Sequence, residues 1–205
     1  MKHKKNINQE NIKNYFENKI KLYSKIKSNK FFYFIKKKEL SIFKKIAIFK
    51  KKDSIIDLAS GSGFYLNNIN NINLKDIYAV DISQKMLNLI KKKNIKKICS
   101  SVEDLKIKKK FNKILCFGLL EFVEDVNTIL KKIYSLSTFN SEIYLLVPKN
   151  NLFGMIYKIY HLFNGLKIRL MSKNKLTKIL NKNKFNIIKY EQTFLSLFLK
   201  VKKYG

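Results

Sequence analysis

The sequence predicts an α/β fold: a doubly wound, mostly parallel seven-stranded sheet with an N-terminal helical cap and a C-terminal antiparallel hairpin. Short apolar runs alternate with segments of helical spacing, the pattern of a parallel sheet covered on both faces. A Gly-containing turn follows the first of these runs, and an acid, Asp81, closes the second. The chain then ends in two β-rich stretches close enough to pair with each other.

Each element follows from local pattern. Ile12, Phe16, Ile20 and Tyr23 recur at steps of four, four and three, which is helical, and a second helix is expected over 39–49. Between them lies the aromatic run Phe31-Phe32-Tyr33-Phe34-Ile35. Residues 1–52 thus read as a helical cap, and 53–205 as the main domain. SIIDL (54–58) is the first strand, a turn follows at 59–63, and IYAVD (77–81) is the second. A helix over 84–93 precedes the third strand, KKICS (96–100). NKILCF (112–117) is the fourth, followed by a helix over 126–137. EIYLLVP (142–148) is the fifth, closed by the chain's only Pro, which cannot continue a ladder. A helix over 172–182 leads into the hairpin of 185–203.

The formal charge is +30, from 44 Lys+Arg against 14 Asp+Glu. Such an excess first suggests nucleic acid. Phosphate binding usually recruits Arg for its bidentate fork, yet Arg169 is the only Arg. Lys, Asn, Ile, Phe and Tyr, all encoded by A/T-rich codons, dominate the chain. A genomic bias is therefore the main source of the charge, and nucleic acid is not the expected partner. The excess is uneven: residues 1–52 hold 17 Lys and three acids.

Two Cys, Cys99 and Cys116, exclude a disulfide scaffold, and with His3 and His161 they make no zinc site. Both lie in apolar strand-like runs, where buried thiols are expected. No metal is expected. The N-terminus lacks an apolar signal core, and no run of 18 apolar residues occurs, so a cytoplasmic setting is expected.

The informative segment is Asp57-Leu58-Ala59-Ser60-Gly61-Ser62-Gly63, leading from a strand into a helix. Gly lets backbone approach a ligand there. Asp81 follows Gly61 by 20 residues, where an acid in a doubly wound fold accepts hydrogen bonds from ribose hydroxyls. Leu66 stands where the dinucleotide fingerprint needs its third Gly, and no Walker A motif occurs. Asp57 would face a pyrophosphate badly and suits a cofactor with a cationic amino group.

With these residues in place, the chain resembles the class I S-adenosylmethionine-dependent methyltransferases, with a Rossmann-like sheet. IIDLASGSG resembles their first motif and AVDISQKML (79–87) their second. SVEDL (101–105), ILCFGLLEFVED (114–125) and LLVPKNN (145–151) resemble the segments after strands three, four and five. The resemblance covers about residues 53–150 and is closest to small-molecule enzymes of the quinone and porphyrin type. It implies that Asp57, Ala59, Ser60 and Gly61 line the methionine part of the cofactor. It places Asp81 on the ribose, Ile82 and Met86 against the adenine, and Ser101, Val102 and Glu103 at the adenine edge. Phe117 would offer a backbone carbonyl, and Tyr15 or Tyr23 would close the site from the cap.

Three departures stand out. Ala59 replaces the usual first Gly, Ser101 a frequent Asp, and Phe122 a frequent His. The last removes an obvious general base, leaving Glu121, Glu124 and His161 as catalytic candidates. Residues 151–170, inside a cap insertion at about 151–171, interleave apolar and aromatic residues with Lys158, His161, Lys167 and Arg169. They are expected to cover an apolar or aromatic small-molecule acceptor, and to meet a membrane surface through their basic flank. Methyl transfer to RNA or to a protein tail, and a degenerate cofactor-binding domain, are the alternatives.

Overall fold

The computed structural model describes residues 2–69, 74 and 76–204, with the backbone alone for residues 2–7. Seven strands form one sheet in the order β3-β2-β1-β4-β5-β7-β6. They are β1 (Ser54–Leu58), β2 (Asp76–Asp81), β3 (Ile95–Cys99), β4 (Phe111–Phe117), β5 (Ser137–Pro148), β6 (Phe185–Gln192) and β7 (Ser196–Lys203). The first five are parallel; β7 runs antiparallel to both β5 and β6. Strand order reverses between β1 and β4, and a crevice outside the strands' carboxyl ends is where such sheets bind ligands.

Strand alternation sorts the core into two layers. Ile56, Leu58, Ile114, Cys116, Ile143 and Leu145 face one side. There they meet α6 (Val126–Leu136) and α8 (Lys173–Lys182). Ile55, Leu115, Phe117, Tyr144 and Leu146 face the other. Phe43 and Ile46 of α3 (Lys30–Ile46) cover that side, with α4 (Phe64–Asn67) and α5 (Gln84–Asn88). Asp57 shares the parity of Ile55, so its side chain belongs to the α3 side. α6 shows how a helix is fixed: Asp125 accepts from Asn127 N and Thr128 N at its start, and Val126, Ile129, Leu130, Ile133 and Leu136 are buried.

A third cluster joins the cover to the sheet. Phe122, Leu166 and Ile168 pack with Ile12, Tyr15 and Phe16 of α1 (Lys2–Asn18) and with Tyr157 of α7 (Leu152–Phe163). Gly154 is obligatory at the root of α7, because a Cβ there would lie 1.8 Å from the Lys149 carbonyl oxygen.

Several local expectations are corrected. The aromatic run 31–35 lies inside α3 rather than between helices, because Asn29 caps that helix by accepting from Phe32 N. The helix expected through 12–23 breaks after Asn18 and resumes as α2 (Ile20–Ser24). The helix expected over 84–93 is one short turn, since Leu89 N and Ile90 N close onto Met86 O and Leu87 O instead of extending it. Cys116 is buried but Cys99 is exposed, because it ends β3 at the sheet edge.

Candidate active site

The loop after β1 is bent by three residues in the left-handed region: Ala59 (φ 61°), Gly61 (φ 53°) and Gly63 (φ 70°). Gly63 admits no side chain, since a Cβ would lie 2.8 Å from Ile90 Cγ1. Beside Gly61 the space is open. Ala59 accepts backbone strain that Gly would not feel.

Two acids stand on this edge. Asp57 is buried, and burial, then the charge of Asp81, pushes its carboxyl up to about 8. Asp81 accepts from Gly61 N at 2.8 Å and from Ser83 N at 2.9 Å. Burial raises its pKa, and those backbone donors oppose the rise. The Asp81 carboxylate thereby fastens the Gly turn to the end of β2.

A two-lobed cavity runs along the edge, and its lobes share Phe16, Ala59, Asp81, Gly118 and Phe122. The outer lobe, about 280 Å³, is walled by Ile82, Ser101, Val102 and Glu103, with Asn8, Gln9 and Ile12 of α1 above. The inner lobe, about 170 Å³, is lined by Asp57, Ser60, Gly61, Met86 and Phe117. Tyr23, Phe32, Lys36, Glu39 and Tyr157 roof it. The structure therefore brings together eleven cofactor-site candidates along one groove, with Tyr23 of α2 as the twelfth. Met86 lies in the inner lobe, whereas Ile82 lines the outer one. The Ser101 hydroxyl is engaged in a turn, donating to Asp104 Oδ2 and accepting from Asp104 N. Tyr15 lines neither lobe and packs against Phe16 and His161.

The three catalytic candidates separate. Glu121 lines the inner lobe; burial pushes its carboxyl up to about 8, and its Oε2 has no partner. Glu124 is exposed and lines the outer lobe. His161 lines neither lobe and is buried among Tyr15, Phe122 and Tyr157. Burial, then Lys19, pushes it down to about 4, so it is neutral.

Sequence reasoning missed Lys36 and Glu39. Glu39 accepts from Tyr65 Oη (2.9 Å), Ser196 Oγ (2.7 Å) and Lys36 Nζ (2.9 Å). Lys36 is the single cation lining the inner lobe among the described residues. A lone acid three residues after a Lys, in a helix otherwise crowded with Lys, was the available signal. The polar set suits a ligand carrying both charges and hydroxyls: the Asp57 and Asp81 carboxyls at the strand ends, the buried unpartnered Ser60 hydroxyl, and the Lys36 ammonium held by Glu39.

Residues 56–138 match the family described as a methyltransferase domain. Among curated proteins no relative matches the chain. Among solved structures, it is similar to magnesium protoporphyrin IX methyltransferase from Synechocystis PCC 6803 with bound S-adenosylhomocysteine (18% identity, 75% of this chain and 74% of that one, TM-score 0.57). It is also similar to 1,6-didemethyltoxoflavin-N1-methyltransferase from Burkholderia thailandensis (14% identity, 75% and 72%, TM-score 0.62). A third match is a putative methyltransferase from Bacillus halodurans (13% identity, 82% and 100%, TM-score 0.69). Residues 56–138 thus match a methyltransferase domain, and the likeness to these structures shows the fold that the chain shares with them.

Proposed function

We propose that the protein methylates a small apolar or aromatic metabolite held in the inner lobe. The observation that carries this reading is the continuity of the acid-bearing strand edge with an aromatic chamber. That chamber is roofed by the chain's own helices through Tyr23, Phe32 and Tyr157. In this reading residues 1–52 are a cap, 53–205 the catalytic unit, and about 151–171 a second cover.

S-adenosylmethionine, when bound, supplies a methyl group activated on a sulfonium. Asp81 would hold its ribose, and Ile82, Ser101, Val102 and Glu103 its adenine. Asp57, Ala59, Ser60, Gly61 and Phe117 would line the methionine part, with Met86 and Tyr23 closing over it. Lys36 would meet the methionine carboxylate. The ionised form of Asp57 is costly while unpaired and would be stabilised by an adjacent ammonium.

Glu121 is the residue we assign to proton handling. Its carboxyl sits in the inner lobe with a free oxygen and a value near neutrality, which suits a general base. It would take the acceptor's proton as the acceptor's lone pair bonds to the methyl carbon and the carbon–sulfur bond breaks. Phe16, Phe122 and Tyr157 would exclude water and fix the approach.

Methyl-labelled S-adenosylmethionine, incubated with the enzyme and a whole-cell extract, tests the acceptor class. Label in the organic-soluble, low-mass fraction is expected. Label recovered only in precipitated RNA or protein would contradict the proposal.

A further inference from the structure

We propose that the outer face of α7, with the adjoining tip of α3, is a docking surface for an anionic lipid bilayer. A helix on a soluble fold normally turns its apolar stripe inward. In α7 the described residues that are fully buried are only Gly154 and His161. Phe153, Ile156, Ile159, Tyr160, Leu162 and Phe163 stand exposed, Phe163 to 87%. The described residues leave this face largely open.

The patch continues beyond the helix. Phe153 packs edge-on against Phe194 (5.2 Å between centroids), and Phe194 stacks on Phe34 of α3 (6.3 Å). Phe31, 70% exposed, lies one turn before Phe34. The rings therefore bridge α7 and α3 across the cover. Asn151 sets the platform, accepting from Gly154 N and donating to the Phe194 carbonyl. Apolar surface gathered in this way on one side marks an interaction site.

Charge selects the occupant. Residues 149–171, which hold α7 and its flanks, contain no acid but carry Lys149, Lys158, Lys167 and Arg169. Lys19 of the linker after α1 donates to Tyr160 Oη (3.1 Å) and Asn164 Oδ1 (3.2 Å), and Lys38 lies over the Phe34 ring (5.6 Å). An aliphatic and aromatic face rimmed by Lys matches a membrane interface with anionic headgroups. A second copy would bring +30 against +30. A nucleic acid would offer nothing aliphatic to Ile156, Ile159 and Leu162. Among the described residues no helix is long and apolar enough to cross a membrane, so the contact is at the surface.

Vesicle co-sedimentation of the full chain tests this. Wild type should sediment with vesicles of phosphatidylcholine and phosphatidylglycerol in equal parts. It should stay in solution with phosphatidylcholine alone, and added salt should release it. Ile156→Ser with Phe163→Ser changes two exposed side chains and should weaken binding about tenfold or more. The chain has no Trp, so Phe163→Trp provides a single reporter whose emission should shift to the blue on the anionic vesicles. Any of four results would overturn the proposal. These are wild type left in solution with anionic vesicles, equal binding to the neutral ones, undiminished binding by the double variant, or no shift from the Trp. A concentration-dependent dimer abolished by the same two substitutions would assign the face to a second copy instead.

Discussion

Along the carboxyl edge of the sheet, Asp57 and Asp81 sit at the ends of strands that pair over their whole length. In the cover above, Glu39, Glu121 and Tyr157 come from α3, the loop after β4 and α7, segments far apart in sequence that come together around the inner lobe. The edge is positioned by backbone: Gly61 N and Ser83 N clasp Asp81, and Ser60 N donates to Val80 O. The cover is positioned by side chains: rings at 5 to 6 Å and the Glu39 hub of three donors. A backbone-built edge suits a cofactor of fixed shape, and a side-chain-built roof can vary with the acceptor. Substitutions in the two regions should therefore separate binding of S-adenosylmethionine from its use.

The largest separation is expected at Glu121. Glu121→Gln should lower turnover by about 10²- to 10⁴-fold, the usual worth of a general base. Binding of S-adenosylmethionine, read by calorimetry, should stay near wild type. Equal loss of both would place Glu121 in the cofactor's own site.

Asp57→Asn should act the other way, weakening S-adenosylmethionine about 10- to 100-fold through one lost charge-assisted hydrogen bond. Wild type should also release a proton on binding below about pH 8, as the ammonium draws Asp57 into its ionised form. Titrations in buffers of different ionisation enthalpy would read that proton, and it should vanish in Asp57→Asn.

Stability should carry the same signature. Between their ordinary carboxyl values and about 8, Asp57 and Glu121 keep protons in the folded chain that the unfolded chain has lost. Their contribution to stability therefore falls as pH rises through that window. His161 works oppositely: held down to about 4, its neutral form favours folding above 6.5, and that advantage is lost on acidification. Melting temperatures across about pH 4 to 8 should show Asp57→Asn gaining on wild type as pH rises. A constant difference would show that Asp57 titrates normally.

The smallest effect belongs to Ala59. Ala59→Gly removes a left-handed Ala and should stabilise the chain by about 1 kcal/mol, with cofactor binding kept. A fall in melting temperature would mean that the Ala59 methyl makes contacts worth more than its strain.

The same two regions divide what the sequence made legible. Strands β1, β2, β4 and β5 are continuous apolar runs because both faces of the sheet are buried, and Asp57, Gly61 and Asp81 are separated by fixed loop lengths. Those residues were readable. The roof was readable only in outline, because Lys36 and Glu39 reach the lobe through contacts as distant as Glu39 to Ser196, which no spacing encodes. His161 looked like a catalytic candidate, and its burial among rings could not be seen without the fold of α1 onto α7. Cys99 looked buried because its run resembles its neighbours; only strand order puts β3 at the edge.

Calorimetric titration of Asp81→Ala with S-adenosylmethionine, beside wild type, tests the central claim most directly. The substitution removes the clasp on Gly61 and the acceptor proposed for the ribose, so binding should weaken by about 100-fold or more while the chain still melts cooperatively. Binding by Asp81→Ala equal to wild type would contradict the assignment of the cofactor to this edge.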